Sequence, residues 1–200
     1  MRLALRLDPR NARTHHQLAY LLTLQGDLDQ AILHYHLASR INPHNGATLR
    51  DLGRVLILQD KFDEAIVILQ QALRINPDDA MAHNNLGKAL ASLGRLDDAV
   101  AHYHLALQFK PDLVDAHYRL GHALAAQSGL DEAVVHYRRA LRIRPDHALA
   151  HGNLGVMLGR LGRLDEAAVH LREALRLDPG RTTARANLDH ILEMQGRAKP

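Results

Sequence analysis

The sequence predicts an all-α chain built as a right-handed α-solenoid of stacked antiparallel helix-turn-helix units, and three observations predict it. Prolines stand at Pro9, Pro43, Pro77, Pro111, Pro145 and Pro179, each 34 residues after the last; a fixed period of that size marks supersecondary units that stack on their neighbours. Other residue types keep the same spacing, so the repeat extends along the whole chain. The composition also fits: tryptophan is absent, two phenylalanines and five tyrosines occur among 200 residues, and 46% of the chain is hydrophobic. Such a chain makes its helix contacts through small and aliphatic side chains.

The columns justify the hairpin itself. Leu18, Leu52, Leu86, Leu120, Leu154 and Leu188 form one, with Gly53, Gly87, Gly121 and Gly155 directly after four of its members. A glycine inside a helix costs about 1 kcal/mol relative to alanine, so its recurrence needs a close helix crossing that excludes a side chain. Ala31, Ala65, Ala99, Ala133 and Ala167 form a second column, with Ala38, Ala72, Ala106, Ala140 and Ala174 seven residues on. These are expected to face the glycines. Tyr35, Tyr103 and Tyr137, with Leu69 and Leu171 in the same column, are expected to fill the wider gap between neighbouring hairpins.

Helix limits follow from the punctuation. Gly26, Gly94 and Gly162 separate the first helix of a unit from the second. Carboxylates then open the second helix near its positive end, and Arg40, Arg74, Arg142 and Arg176 close it near the negative end, as the helix dipole prefers. The proline stops it, and Asp78, Asp112 or Asp146 are placed to cap the next helix. First helices are expected at 13–25, 47–59, 80–92, 114–126 and 148–160, and second helices at 28–41, 62–75, 96–109, 130–143 and 164–177. Asp60 replaces the turn glycine and Ser128-Gly129 displaces it by one residue, which predicts local turn changes within an unbroken stack.

The implied division is residues 1–11 as the truncated second helix of an upstream repeat, repeats at 12–45, 46–79, 80–113, 114–147 and 148–181, and a capping helix with tail at 182–200. In the cap, Arg185 and Asp189 are an i,i+4 pair suited to water, while Leu188, Ile191 and Leu192 are left to pack backwards. At the other end Leu3, Leu5 and Leu7 lack neighbours. Either a longer parent protein supplies them or the chain self-associates through this N-terminal edge.

The stretch "HNNLGKALASLGRLDDAVAHYHLALQFKPD", His83 to Asp112, resembles the tetratricopeptide repeat (TPR) consensus along its whole length, and the resemblance covers essentially the entire chain. "NNLG" at Asn84 to Gly87 and "GNLG" at Gly152 to Gly155 are similar to the TPR arm of O-linked N-acetylglucosamine transferases. The resemblance implies a non-catalytic scaffold or adaptor that binds an extended peptide or partner helix in a concave groove lined by the first helices. The alternative is the substrate-docking arm of a larger enzyme such as a glycosyltransferase.

By the same resemblance the groove column is Gln17, Asp51, Asn85, Arg119, Asn153 and Asn187, flanked by Arg13, His16, Tyr20, Arg50, Arg54, Asn84, Lys88, Tyr118 and His122. Asparagine amides donate to and accept from a peptide backbone; Asp51 and Arg119 interrupt that ladder. Arg50, Arg54, Lys88 and Arg119 suit an acidic or carboxylate-ended peptide.

Other functions are not expected. Cysteine is absent, so no disulfide, thiolate metal site or cysteine nucleophile exists. A net charge of +3 with arginine dispersed along the chain argues against nucleic acid. No stretch approaches a secretory signal or membrane span, which makes a cytoplasmic protein without membrane contact the expectation. No serine, histidine and acid set, phosphate loop or zinc motif is present, and no cofactor is expected. Fifteen histidines raise the question of metal. Neighbouring helices pack about 8–10 Å apart, while zinc holds each nitrogen at about 2.0–2.1 Å, so the columns His34/His102/His136/His170 and His15/His83/His117/His151 are read as packing.

Overall fold

The computed structural model describes residues 9–197, and among them eleven α-helices and no strand are found. They are α1 (Ala12–Leu24), α2 (Leu28–Ile41), α3 (Gly46–Leu58), α4 (Phe62–Ile75), α5 (Ala80–Ser92), α6 (Leu96–Phe109), α7 (Val114–Ala126), α8 (Leu130–Ile143), α9 (Ala148–Arg160), α10 (Leu164–Leu177) and α11 (Thr182–Arg197). All five even-numbered helices, α5, α7 and α9 lie where the periodicity places them. Helices α1 and α3 are set one residue earlier than expected, and α11 lies within the expected capping segment. The expectation for Met1 to Asp8 lies outside the described residues.

The helices form two compact units, one ending at Phe109 and one beginning at Lys110. Each is a short α-solenoid. In the first, α1–α2, α3–α4 and α5–α6 are hairpins stacked through α2 on α3 and α4 on α5; in the second, α7–α8 and α9–α10 stack through α8 on α9, and α11 packs on α10 and α9.

All five hairpin turns close in the same way, which corrects the expected turn changes. The residue after the C-cap takes a left-handed φ in each: Gly26 (+80°), Asp60 (+57°), Gly94 (+76°), Ser128 (+66°) and Gly162 (+74°). Its N–H reaches three residues back, and the next N–H reaches five residues back, as in Lys61 to Leu56 and Gly129 to Leu124. This is the Schellman arrangement that satisfies a helix's last carbonyls. Asp60 and Ser128 therefore adopt the backbone that glycine adopts elsewhere, while Gly129 has an ordinary φ of −77°.

The core differs from expectation in what each glycine faces. A Cβ on Gly87 would lie 2.6 Å from Cε1 of Tyr103, and on Gly53 2.5 Å from Cγ of Leu69. Gly121 stands in the same way against Tyr137, and Gly155 against Leu171. The glycine is the socket for the large side chain of its own hairpin partner. Alanine enters through its backbone: the carbonyls of Ala133 and Ala167 lie 3.2 and 3.1 Å from the Cβ positions of Gly121 and Gly155. Tyr35, Leu69, Tyr103, Tyr137 and Leu171 are fully buried.

Caps are also shifted. Asn11, Asn45, Asp79 and His147 accept backbone N–H bonds at the starts of α1, α3, α5 and α9. Asp79 and His147 thus take the place expected of Asp78 and Asp146, and Leu113 before α7 offers no side-chain cap. In α11, Leu188 and Ile191 are buried and Arg185 and Asp189 exposed as expected, but Leu192 is 40% exposed instead of packed.

Candidate functional site

The odd-numbered helices carry the columns singled out for binding. In the first unit Gln17 and Tyr20 are exposed on α1 and, with His16 and Leu21, line a cavity of about 320 Å³. Arg50 and Asp51 on α3 are half-buried. Arg50 Nε donates to Asp51 at 3.2 Å and its Nη1 to Asp79 Oδ2 at 3.0 Å, while Asp79 Oδ1 caps α5. Burial works against the Arg50 charge, but the two carboxylates outweigh it and hold its pKa up. Arg54 is half-buried near Tyr35, whose phenol pKa is raised by burial and then by the charge of Asp51. Asn84 and Asn85 are buried, at 2% and 7% exposure, and Lys88 is half-buried.

One arrangement in this unit was invisible to motif reading. His16 Nδ1 shares a hydrogen bond with Thr48 Oγ1 at 3.0 Å, and its Nε2 lies 3.6 Å from Asp51 Oδ2. A hydroxyl, an imidazole and a carboxylate in a row suggest acyl transfer. Thr48 is 1% exposed, however, out of reach of a substrate, and 3.6 Å exceeds hydrogen-bond distance. The row ties α1 to α3.

In the second unit Asn153 on α9 donates from Nδ2 to the hydroxyls of Tyr118 at 3.3 Å and Tyr137 at 3.5 Å. Tyr118 in turn stacks on His147, ring centres 5.0 Å apart. Burial pushes the Tyr137 phenol pKa strongly up, against the Asn153 bond. Arg119 is half-buried and donates to Asp115 one turn back at 2.7 Å, and His122 is exposed. Asn187 on α11 is half-buried and lines a pocket of about 310 Å³ with Val156, Arg160, His190, Ile191 and Met194. Of the expected residues Gln17, Tyr20 and His122 are exposed on odd-numbered helices, Asn84 and Asn85 are buried, and two of the four basic ones, Arg50 and Arg119, already have carboxylate partners.

Histidines form the most regular polar feature. His15, His83, His117 and His151 each meet the histidine nineteen residues on, Nδ1 to Nδ1, at 2.9 to 3.1 Å: His34, His102, His136 and His170. The other nitrogen, Nε2, lies 3.0 to 3.1 Å from the carbonyl of Pro9, Pro77, Pro111 or Pro145. Ring centres are 5.1 to 5.4 Å apart. Beyond the nitrogen separation, that leaves only the reach from each ring centre to its own nitrogen, so the rings meet edge to edge rather than face to face. A metal held in line would need its two nitrogens about 4 Å apart; these are hydrogen bonds. Among the described residues no three metal-ligating side chains gather. His147, four residues before His151, accepts the Ala150 N–H on Nδ1 at 3.2 Å. The column of four at a 34-residue period, with its partners offset by nineteen, was the available sequence signal for the pairing.

Paired antiparallel helices repeating every 34 residues, with a glycine socket in one and a large side chain in the other, define a helical-hairpin repeat protein. Tetratricopeptide repeat models match residues 2–33, 22–93 and 118–182, and a TPR repeat model matches 87–128. The chain belongs to the tetratricopeptide repeat family. No curated protein matches it in sequence. Among solved structures it is similar in fold to YrrB, a TPR protein with an unusual peptide-binding site, at 23% identity and TM-score 0.72, over 92% of this chain and 94% of that one. MamA is similar at 24% identity and TM-score 0.72, over 84% and 92%. A chain of the APC/C hetero-tetramer Cut9-Hcn1 is similar at 22% identity and TM-score 0.84, over 94% of this chain and 37% of that one. No helix among the described residues is long and apolar enough to cross a membrane.

Proposed function

We propose that the chain is a non-catalytic protein-interaction scaffold that takes an extended peptide or a partner helix along the odd-helix face of its units. One observation carries this reading: in each unit a cavity of about 310 to 320 Å³ opens on the columns chosen from sequence, at Gln17 and Tyr20 in one and at Asn187 in the other. Each combines apolar walls with a few polar groups, the composition of a side-chain subsite. Asn187 and Gln17 can hold a peptide backbone by donating and accepting at once. Buried Asn84 and Asn85, and Asn153 bonded to two tyrosines, serve as positioning residues under that face.

An acidic peptide remains our preferred ligand, with a narrower basis. Arg50 and Arg119 already neutralise carboxylates of the chain, so the attraction rests on Arg54 among the expected cations, joined by Arg160 beside the Asn187 pocket. A docking arm within a longer polypeptide would use the same face, and a similar fold occupies 37% of the chain in the Cut9-Hcn1 assembly.

The test is selection from a displayed random peptide library, followed by affinity measurement on selected peptides. Gln17→Ala/Tyr20→Ala and Asn187→Ala/His190→Ala are each expected to weaken selected peptides at least tenfold, whereas Val67→Ser on the even-helix side leaves them unchanged. Selection of the same peptides with the same affinity by both double variants would overturn the proposal. Affinity is expected to fall with added salt and to lose that dependence in Arg54→Ala/Arg160→Ala.

A further inference from the structure

We propose that the His83–His102 and His151–His170 pairs are acid-sensitive clasps, each accepting one added proton while closed and opening on the second, so that acidification unlocks hairpins α5–α6 and α9–α10. Each pair rests on an acceptor that never titrates. The carbonyls of Pro77 and Pro145 can only accept, so Nε2 of His83 and of His151, each 3.0 Å away, carries the hydrogen. In a neutral imidazole the other nitrogen is then bare. At 3.0 Å from that bare Nδ1, the Nδ1 of His102 or His170 must carry a hydrogen and donate it. Both tautomers are thereby set by geometry.

The first added proton goes to the open Nε2 of His102 or His170. That ring becomes a double donor, its bond to the inner histidine persists, and charge assistance strengthens it. The second has only Nδ1 of His83 or His151 left, where two N–H groups would point at each other. In the unfolded chain both rings titrate independently near 6.5. Unfolding therefore binds one proton more per pair than the closed hairpin can.

The surroundings oppose even the first proton, offsetting that charge assistance. Asp98, one turn before His102 on α6, favours its charge, but burial and the nearby His83 outweigh it and lower the pKa; the Phe109 ring covers His83, centres 5.9 Å apart. His170 is lowered by burial, by His151 and by Arg138 from α8, against Glu166 and Glu173 on its own helix. Those carboxylates are held by Arg163 and Arg138, and by Arg176. A histidine whose folded pKa lies below its unfolded value contributes stability that is complete above about pH 6.5 and is lost as pH falls below it.

Hairpin α3–α4 supplies the control, because Leu49 and Ile68 hold the register that the pairs hold elsewhere. The test compares the wild type with His83→Leu/His102→Ile/His151→Leu/His170→Ile by guanidinium denaturation at pH 7.5 and 5.0. The wild-type midpoint is expected to fall with pH, and the variant, which lacks both clasps, to show a smaller fall. An equal fall in both overturns the proposal. Nitrogen-15 NMR of the wild-type imidazoles decides independently of whether the variant folds: His83 and His151 are expected as Nε2–H tautomers at pH 7.5, and as pH falls the first proton in the folded chain is expected on His102 and His170. A charged His83 or His151 in the folded chain also overturns it.

Discussion

Hairpins α3–α4 and α5–α6 share a backbone and differ in nearly every chemical choice made on it. One turns on Asp60 and the other on Gly94, at φ of +57° and +76°. One seats Leu69 against Gly53, the other Tyr103 against Gly87. One fills the outer register with Leu49 and Ile68, the other with a histidine pair. The difference teaches that this fold demands a shape at the socket and a dihedral at the turn, and leaves the outer register open to apolar or polar solutions.

The comparison can be broken most forcefully at the socket. Tyr103→Ala removes a fully buried ring and is expected to cost about 3–5 kcal/mol, read by urea denaturation, while Tyr103→Leu costs much less because Leu69 shows that leucine fits the same seat. A loss as large for leucine as for alanine would mean the two sockets are not equivalent. Gly87→Ala drives a methyl into that ring at 2.6 Å and is expected to cost about 1–3 kcal/mol, despite alanine's better helix propensity. Combined with Tyr103→Leu its effect should not add, since the two residues touch.

Turn exchanges probe the smaller differences. Gly94→Ser is expected to lose about 1 kcal/mol and Ser128→Gly to gain about as much, because a side chain at positive φ is strained. Asp60→Gly gains only a few tenths, as aspartate tolerates that region better. Thermal midpoints that leave all three unchanged would show that the turns are not strained at all.

Much of this architecture is legible in one sequence because periodicity reports whatever the repeat needs in every copy: the helices, the buried tyrosine and leucine seats and the charged helix ends. What lies between copies is hidden. Arg50 on α3 reaches Asp79 at the start of α5, so its charge, which looked available to a ligand, is already neutralised, and the cap moves from Asp78 to Asp79 because the latter's carboxylate meets the first N–H groups of α5. Nothing in the spelling of Asn84 and Asn85 says they are covered, since burial of a polar face depends on what packs over it. Ser128-Gly129 misled in the opposite direction: glycine signals a turn, but the register of the whole hairpin overrode the local preference and gave the strained position to serine.

The uniform turn also sets which length changes the chain can absorb. Each residue advances a helix by about 100°, so inserting one residue within α6 between Ala99 and Tyr103 would swing the Tyr103 seat away from the face that Ala99 buries. A cut or addition of a whole 34-residue cassette returns every side chain to its starting azimuth. Such a polypeptide can grow or shrink by duplication far more easily than by single-codon slippage.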